Sequence, residues 1–309
     1  MEAILQWGLD CIRLIQTVAN PPLTVCMRII TELGSAAVYI ILLPIVYWCI
    51  DEKKCLRLGV MVLISVWLNI TLKFLLDQPR PFFESYDPSV GIIHERMGGF
   101  PSGHAQNSLV MWIIIASWGK QKRFYVIAAL FCLLVSFSRV YLGVHFPTDI
   151  LGGWLIGGVL LTVYFLAGKR IEAMLAAHSL RAGLIACSAL AFVMILYRPS
   201  IELLMPGAMI FGLGTGYCLC RQYIGFTASA LSGRVGISKY LVLAVRFLLG
   251  ITVVVLLFVL TEKVMVRFHG SGNYPLFMFL RFALLALWIS AGAPWLFRFL
   301  RLAENNAGN

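Results

Sequence analysis

Long apolar segments with almost no charge recur along most of this chain, and they constrain its fold more than any other feature. Apolar residues make up 60% of the 309 residues, charged residues only 13%, and the mean hydropathy is +0.88. A soluble domain carries about 25% charged residues, so this composition excludes that class. We therefore predict an all-α, polytopic bundle of membrane-spanning helices.

About nine segments are long enough to cross a hydrocarbon core of about 30 Å. They run from 33 to 50, 56 to 76, 104 to 118, 124 to 138, 148 to 167, 182 to 197, 207 to 220, 240 to 261 and 276 to 297. The third, fourth and seventh segments are short for a span. We predict that each of the nine forms a transmembrane helix.

The residues before the first span follow a different pattern. Ile4 and Ile12 share one helical face, opposite Asp10 and Arg13, and this amphipathic arrangement predicts a helix lying in the membrane interface. The sequence thus predicts three parts. They are an amino-terminal interfacial segment (1–32), a catalytic core of five spans (33–168) and a carboxyl-terminal extension of four spans (169–309).

The distribution of lysine and arginine among the loops predicts the orientation of the protein in the membrane. The loops predicted to lie on one side of the membrane contain most of these basic residues: Lys53, Lys54, Arg57, Lys120, Lys122, Arg123, Lys169, Arg170, Arg181, Arg221, Arg234, Lys239, Arg298 and Arg301. Because cytoplasmic loops are rich in basic residues, this side is predicted to face the cytoplasm. The net charge of +11 mostly reflects this excess, and no motif supports a nucleic-acid partner.

Three short polar strings stand at the ends of the apolar segments. They are Lys73-x6-Arg80-Pro81, Pro101-Ser102-Gly103-His104 and Ser138-Arg139-x5-His145-x3-Asp149. The first ends the second span, the second begins the third, and the last joins the fourth to the fifth. All three are therefore predicted to emerge on one face, away from the cytoplasm. Ionisable groups at a membrane edge are costly unless they serve a polar cavity or an anion, so this face is the predicted functional site.

Lys73, Arg80 and Arg139 are predicted to form a cradle for a phosphate group. Three cations brought together in a desolvated site are unstable unless a counter-charge arrives. Arginine binds phosphate oxygens with two parallel donors, and lysine adds a compact point charge. Ser102 and Gly103 open the third span, where unpaired backbone N–H groups favour an anion and glycine permits its close approach.

His145, Asp149 and His104 are the candidate catalytic residues. A spacing of four at a helix start allows the Asp149 carboxylate to hold one ring nitrogen of His145 and leave the other free to attack. His104 is the natural partner to protonate the departing oxygen. The two histidines permit attack on phosphorus to give a phosphohistidine, followed by its hydrolysis. This scheme needs no metal and no cofactor, and the sequence has no carboxylate cluster suited to magnesium.

The three strings match the signature of the phosphatidic acid phosphatase type 2 superfamily, KxxxxxxRP, PSGH and SRxxxxxHxxxD, and the chain resembles that family over roughly residues 70 to 157. The resemblance implies a helical core with two sets of residues. Phosphate is bound by Lys73, Arg80, Ser102, Gly103 and Arg139, and catalysis is carried out by His145 as nucleophile, Asp149 as its partner and His104 as acid. The nine-span layout also resembles glucose-6-phosphatase and the sphingosine-1-phosphate phosphatases.

These observations favour a membrane-embedded phosphatase that hydrolyses a lipid phosphate monoester or a polyprenyl diphosphate on the extracytoplasmic side of a bacterial inner or plasma membrane. The expected partners are the lipid phosphate substrate and membrane lipids, with no obligate protein partner. Three alternatives remain open: a sugar-phosphate phosphatase, a phosphotransferase that uses an alcohol acceptor, and a transporter or lipid scramblase built on the carboxyl-terminal spans.

Arg246 and Arg281 bear on the transporter alternative because they lie within the last two apolar segments. Each is a turn or two from the start of its segment, so we expect its side chain to reach water by snorkelling. A transport pathway would use them as polar points instead.

Overall fold

The computed structural model describes residues 2–83, 85–176, 180–196, 200–230 and 236–303. The helices are α1 (Glu2–Gln16), α2 (Pro21–Glu32), α3 (Ala36–Ile45), α4 (Glu52–Leu76), α5 (Gly103–Gly119), α6 (Lys122–Tyr141), α7 (Pro147–Ala176), α8 (Leu180–Leu196), α9 (Ile201–Leu219), α10 (Ile237–Phe268), α11 (Tyr274–Leu287) and α12 (Ala293–Phe299). Single π-helical turns follow α3, α9 and α11. Over these residues the chain contains no β-strand, which confirms the all-α prediction.

Six of the helices in the described ranges are long and apolar enough to cross a membrane, or seven if the bent pair Pro21–Glu32 and Ala36–Ile50 is counted as one span. The protein is therefore an integral membrane protein. Helices α5 and α8 coincide with predicted spans but have 17 residues each. A helix of that length reaches only about 25 Å, less than the hydrocarbon core. The count of about nine spans stays a prediction, as does the interfacial position of α1.

The chain forms two compact units. The first contains Met1–Tyr39 and Ile64–Gly168, and the second contains Ile40–Leu63 and Lys169–Asn309. Helix α4 contributes residues to both. Residues 40–63, which the sequence groups with the catalytic core, make their contacts with the carboxyl-terminal helices instead. The functional division into three parts stays a prediction.

The core of the first unit includes the long loop between α4 and α5. Phe82 and Val90 from this loop are buried together with Leu9 and Ile12 of α1 and Tyr141 of α6. Burial of such side chains stabilises a fold by about 1.5–3 kcal/mol each. The loop is thus a packed part of the first unit.

Helix α1 also holds the loop through polar contacts. An ion pair joins Arg13 Nη2 to Asp87 Oδ2 at 2.7 Å. The amide of Gln16 donates to the carbonyl oxygens of Val90 and Tyr141, both at 2.8 Å.

Gly143 lies in the turn after α6 with φ +71, and a Cβ there would lie 1.8 Å from the Val90 oxygen. Only glycine fits this turn, which leads the chain from α6 to His145.

In the second unit, Arg246 does not snorkel to water as its position in the sequence predicts. Its side chain is fully buried, and it donates to the carbonyl oxygens of Trp48, Ala228, Ala230 and Leu302. The prediction was wrong because the turn after α12 and the loop after α9 supply carbonyl acceptors within hydrogen-bond distance. Arg281 is likewise buried, and it forms an ion pair with Glu262.

Candidate active site

A cavity of about 210 Å³ lies in the first unit, where α4 and α6 end and α5 and α7 begin. Five of the predicted site residues line it, namely Lys73, Arg80, Gly103, His104 and His145. Residues 95–97 of the long loop complete the lining. The three sequence strings therefore converge on one cavity. Of the other predicted residues, Asp149 and Arg139 contact groups that line it, and Ser102 caps α5 at its edge.

Backbone carbonyl groups fix the positions of two of the predicted cradle cations. Lys73 Nζ donates to the carbonyl oxygens of Gly98 and Gly99. Arg80 donates from Nε to the Met97 oxygen at 2.6 Å and from Nη1 to the Val144 oxygen at 2.7 Å. These acceptors carry no charge themselves, so they fix the two side chains without neutralising them; Arg80 in addition pairs with a carboxylate, Glu95, described below. The cations are thus held in place while they remain able to attract an anion.

Arg139, the third cradle cation, is positioned by a residue that the sequence did not indicate. Its Nη1 donates to the hydroxyl of Thr31, on α2, at 3.0 Å. The residue is only 1% exposed, and its Nε has no hydrogen-bond partner. A buried donor without a partner is costly, so Arg139 retains capacity for a ligand oxygen.

The arrangement around His145 defines which ring nitrogen is free. Its Nδ1 lies 3.1 Å from Oδ2 of Asp149, and the same oxygen accepts from the backbone N–H of Phe146 at 2.9 Å. An ionised carboxylate only accepts, so the imidazole carries its proton on Nδ1. The lone pair is then on Nε2, which accepts a hydrogen bond from Arg80 Nη1 at 3.2 Å.

Burial, together with the charges of Arg80 and then Lys73, lowers the pKa of His145 well below its ordinary value. The imidazole is therefore neutral near pH 7. A neutral ring with a lone pair aimed at a cation-lined cavity is chemically able to act as a nucleophile.

Gly103 packs closely against α4 at the start of α5. A Cβ at this position would lie 2.8 Å from Oδ1 of Asn69 on α4. The Asn69 amide also donates to the Pro101 oxygen at 3.2 Å and to the Gln106 side chain at 2.9 Å. Gln106 in turn donates to the hydroxyl of Ser65 at 2.9 Å. This buried network holds the amino-terminal end of α5 against α4, where its N–H groups meet the cavity.

The polar network was not predicted, although the sequence contains a signal for it. Ser65, Asn69 and Lys73 are spaced four residues apart in a segment that is otherwise mostly apolar, so they share one helical face. A polar stripe of this kind within a membrane span indicates a buried contact or a cavity.

Glu95 is a further residue that the sequence did not single out. Its carboxylate forms ion pairs with Arg80 Nη2, at 2.6 Å, and with Arg139 Nη2. Burial alone would raise the pKa of Glu95, but the charges of Arg139 and Arg80 outweigh it and lower the pKa to about 2. The carboxylate is thus ionised at neutral pH, and it lies between the two guanidinium groups predicted to bind phosphate.

Over the ranges that the structure describes, no three histidine, cysteine, aspartate or glutamate side chains are grouped as a metal site would require. The expectation of metal-independent chemistry stays a prediction. Lys73, Arg80 and Arg139 are the cationic side chains that the structure brings together at this site.

The structure is that of a membrane protein in which two histidines and three cationic side chains are grouped at one cavity. These features are those of a membrane phosphatase. Residues 54–173 match the PAP2 superfamily, and residues 204–305 match the transmembrane extension of PAP2 superfamily phosphatases. The chain belongs to the PAP2 superfamily, as the three strings predicted.

Several curated proteins are similar to this chain. Phosphatidylglycerophosphatase B of Bacillus subtilis is 39% identical over 108 residues, which are 32% of this chain and 49% of that protein. Sphingosine-1-phosphate phosphatase 2 of Mus musculus is 31% identical over 156 residues, 48% of this chain and 43% of that protein. An undecaprenyl-diphosphatase of Sulfolobus acidocaldarius is 28% identical over 140 residues, 42% of this chain and 64% of that protein. The chain spans about half the length of the curated relatives it matches.

Among solved structures, the transmembrane PAP2-type phosphatidylglycerolphosphate phosphatase from Bacillus subtilis has a TM-score of 0.47 and 28% identity. The alignment covers 56% of this chain and 88% of that one.

Proposed function

We propose that the protein is a membrane-embedded, metal-independent phosphatase that hydrolyses a lipid phosphate through a phosphohistidine intermediate. The observation that carries the proposal is the orientation of His145. Asp149 holds its Nδ1 at 3.1 Å, and its Nε2 is left beside Arg80 at the cavity. The substrate is a phosphomonoester or a polyprenyl diphosphate.

In the first step, Nε2 of His145 attacks phosphorus while the bond from phosphorus to the leaving oxygen breaks. The leaving oxygen takes a proton from His104, which lines the same cavity. His104 enters this step as an imidazolium, a state that the negative charge of the bound phosphate favours, and leaves it as the neutral ring. Lys73, Arg80 and Arg139 stabilise the negative charge on the other phosphoryl oxygens, together with the N–H groups at the start of α5. Phosphoryl transfer depends mainly on positioning and on such charge stabilisation.

In the second step, His104 removes a proton from water, and the resulting hydroxide attacks phosphorus. The bond from phosphorus to Nε2 breaks, which releases inorganic phosphate and restores neutral His145. Asp149 stabilises the positive charge that the imidazole carries between the steps.

The position of the site in the chain supports a lipid substrate. The cavity lies where α4 and α6 end and α5 and α7 begin, at the level where the headgroup of an amphiphile would sit. The relatives, which include a phosphatidylglycerophosphatase, an undecaprenyl-diphosphatase and a sphingosine-1-phosphate phosphatase, also support it. The bias of basic residues among the loops supports an extracytoplasmic position of the cavity, and the proposed location is a bacterial inner or plasma membrane.

Phosphate release by the purified full-length protein tests this function. A panel of phosphatidic acid, phosphatidylglycerophosphate, sphingosine 1-phosphate and a polyprenyl diphosphate is supplied in detergent with and without a chelator. His145→Ala is expected to abolish release. His94→Ala is the matched control because that ring packs on Phe82, outside the lining of the cavity. Equal activity of His145→Ala and the unmodified protein would eliminate the proposed nucleophile, and loss of activity in the chelator would contradict metal independence.

Two additional measurements in the same assay test the other two enzymatic functions, a sugar-phosphate phosphatase and a phosphotransferase. Glucose 6-phosphate is the soluble competitor, and its preferential hydrolysis would favour the sugar-phosphate reading. A lipid alcohol added in excess would collect the phosphoryl group if the protein were a phosphotransferase.

The transporter alternative receives less support from the structure. Arg246 and Arg281, the polar points that it requires, are occupied by carbonyl groups and by Glu262 within the second unit. Lipid flux in proteoliposomes that survives His145→Ala but is lost on substitution of Arg246 would favour this alternative.

A further inference from the structure

Two guanidinium groups at the cavity share one carboxylate. Oε2 of Glu95 lies 2.6 Å from Arg80 Nη2, and its other oxygen contacts Arg139 Nη2. The two arginine side chains are 2% and 1% exposed, whereas that of Glu95 is 30% exposed. The carboxylate therefore lies on the open side of the pair, between the buried cations and the solvent that enters the cavity.

The nitrogens that contact Glu95 are those that other groups leave available. Arg80 uses Nε and Nη1 for the carbonyl oxygens of Met97 and Val144. Arg139 uses Nη1 for Thr31. Nη2 remains on Arg80, and both Nη2 and Nε remain on Arg139; Glu95 accepts from the two Nη2 groups. A bound phosphate would compete for these same donors, because Arg80 and the Glu95 carboxylate that joins it to Arg139 both line the cavity.

We propose that Glu95 is a resident counter-ion that occupies the phosphate site in the ligand-free protein, is displaced by the substrate, and returns to expel inorganic phosphate. The proposal rests on the proposed phosphatase function and assigns a regulatory role within that site. The carboxylate resembles one edge of a phosphate group: two oxygens, a negative charge, and a spacing that suits two guanidinium donors.

The charge balance explains why such a counter-ion is useful. Without Glu95, the ligand-free cavity would contain three cations, two of them arginines that are almost fully buried, and this arrangement would be strongly destabilised. Phosphate can still displace the carboxylate because it carries more charge and also reaches Lys73 and the start of α5, neither of which Glu95 contacts in the described part of the chain. After hydrolysis the carboxylate competes with inorganic phosphate for Arg80 and Arg139. Glu95 thus lowers the affinity for substrate and product alike.

A purely structural role of Glu95 predicts the opposite effect on binding. If the carboxylate served only to orient the two guanidinium groups, its removal would loosen them and weaken phosphate binding. If it is a displaceable competitor, its removal strengthens phosphate binding while it destabilises the empty protein. The two roles therefore differ in the sign of one measurement.

The experiment is a calorimetric titration of the full-length protein in detergent with inorganic phosphate, combined with thermal unfolding with and without phosphate. In Glu95→Gln we expect the dissociation constant to fall by about tenfold, the size expected when one charged competitor is removed. The melting temperature without phosphate is expected to fall, and saturating phosphate is expected to raise it by more than in the unmodified protein. Under turnover, KM and the inhibition constant for phosphate should fall by the same factor.

Asp87→Asn is the matched control because Asp87 is an acid of the same loop whose ion pair, with Arg13, lies outside the cavity lining. We expect its dissociation constant to stay within about twofold of the unmodified value. An unchanged or weaker affinity in Glu95→Gln would overturn the proposal. If that variant does not fold, Glu95→Asp replaces it: the shorter side chain retains the charge but does not span both arginines, and it should give a smaller gain in affinity.

The titration separates this proposal from the function on which it rests, because phosphate binding needs no turnover. A protein that binds phosphate but hydrolyses no member of the panel would defeat the phosphatase proposal. A protein that hydrolyses lipid phosphates and whose phosphate affinity does not rise in Glu95→Gln would defeat only the role of Glu95.

Discussion

The hydroxyl of Thr31 accepts a hydrogen bond from Nη1 of Arg139 at 3.0 Å, and this contact joins α2 to the cation cradle. Both residues are buried. The amino-terminal helices, which the sequence places outside the catalytic core, therefore contribute a positioning residue to the site. Thr31 acts through Arg139 and does not line the cavity itself.

Replacing Thr31 by valine is expected to weaken phosphate binding. The substitution conserves shape but removes the acceptor, which leaves two donors of a buried guanidinium unsatisfied and its position less fixed. We expect KM to rise about fivefold to tenfold with a smaller change in kcat, because phosphate restores the orientation of Arg139 once it is bound. Steady-state kinetics on a lipid phosphate measures both constants. Thr31→Ser, which retains the hydroxyl, should behave as the unmodified protein; equal defects in both variants would argue that only packing matters.

Asp149→Asn tests how His145 is oriented. The asparagine side chain has one oxygen, which the Phe146 N–H requires, and its NH₂ group then faces Nδ1 of His145. The imidazole would move its proton to Nε2 and lose the lone pair needed for attack. We expect kcat to fall by about 10²–10⁴-fold. Phosphate affinity should change little because the cations remain, so a variant with normal kcat would show that Asp149 has no orienting role.

The low pKa of Glu95 predicts how stability depends on pH. Its pKa is lowered from the ordinary 4.5 to about 2, so its contribution to stability is fully present above pH 4.5 and is lost as the pH falls from 4.5 towards 2. The difference in melting temperature between the unmodified protein and Glu95→Gln should therefore be constant from pH 8 to about pH 5 and shrink below pH 4.5. Thermal unfolding in detergent across this range measures it. A difference that already disappears between pH 7 and 5 would mean that the carboxylate takes up a proton much more readily.

Arg246 is expected to contribute to stability through the carbonyl groups that it binds. Arg246→Met retains a long apolar side chain but removes every donor to Trp48, Ala228, Ala230 and Leu302. Because buried acceptors without partners each cost about 1–3 kcal/mol, we expect a loss of roughly 3 kcal/mol in the free energy of unfolding. Arg246→Lys, with three donors on one nitrogen, should lose less. Melting temperatures of both variants in the same detergent test this, and an unchanged value in Arg246→Met would contradict it.

The sequence by itself determined the class of fold and the family, because hydropathy and motif spacing are local properties. An apolar segment of sufficient length forms a helix in lipid whatever its neighbours are, since its backbone groups have no other partners. The spacing of His145 and Asp149 likewise predicted a contact within one helical turn, and the structure has it at 3.1 Å. The strings at the helix ends predicted one common face, and the cavity lies there.

Only the tertiary structure decided which other residues support that site. Thr31 and Glu95 act on groups between 15 and 108 residues away in the chain, and no periodicity relates them to the motifs. The loop after α4 contains several acidic residues. The sequence indicates that Arg80 and Arg139 need a negative partner, but it does not show which of these acids is close enough to provide it. Arg246 shows the same limit, because its acceptors belong to segments distant in sequence. The physical reason is that ion pairs and hydrogen bonds depend on distances of about 3 Å between atoms, which the packing of helices and loops fixes and local sequence does not.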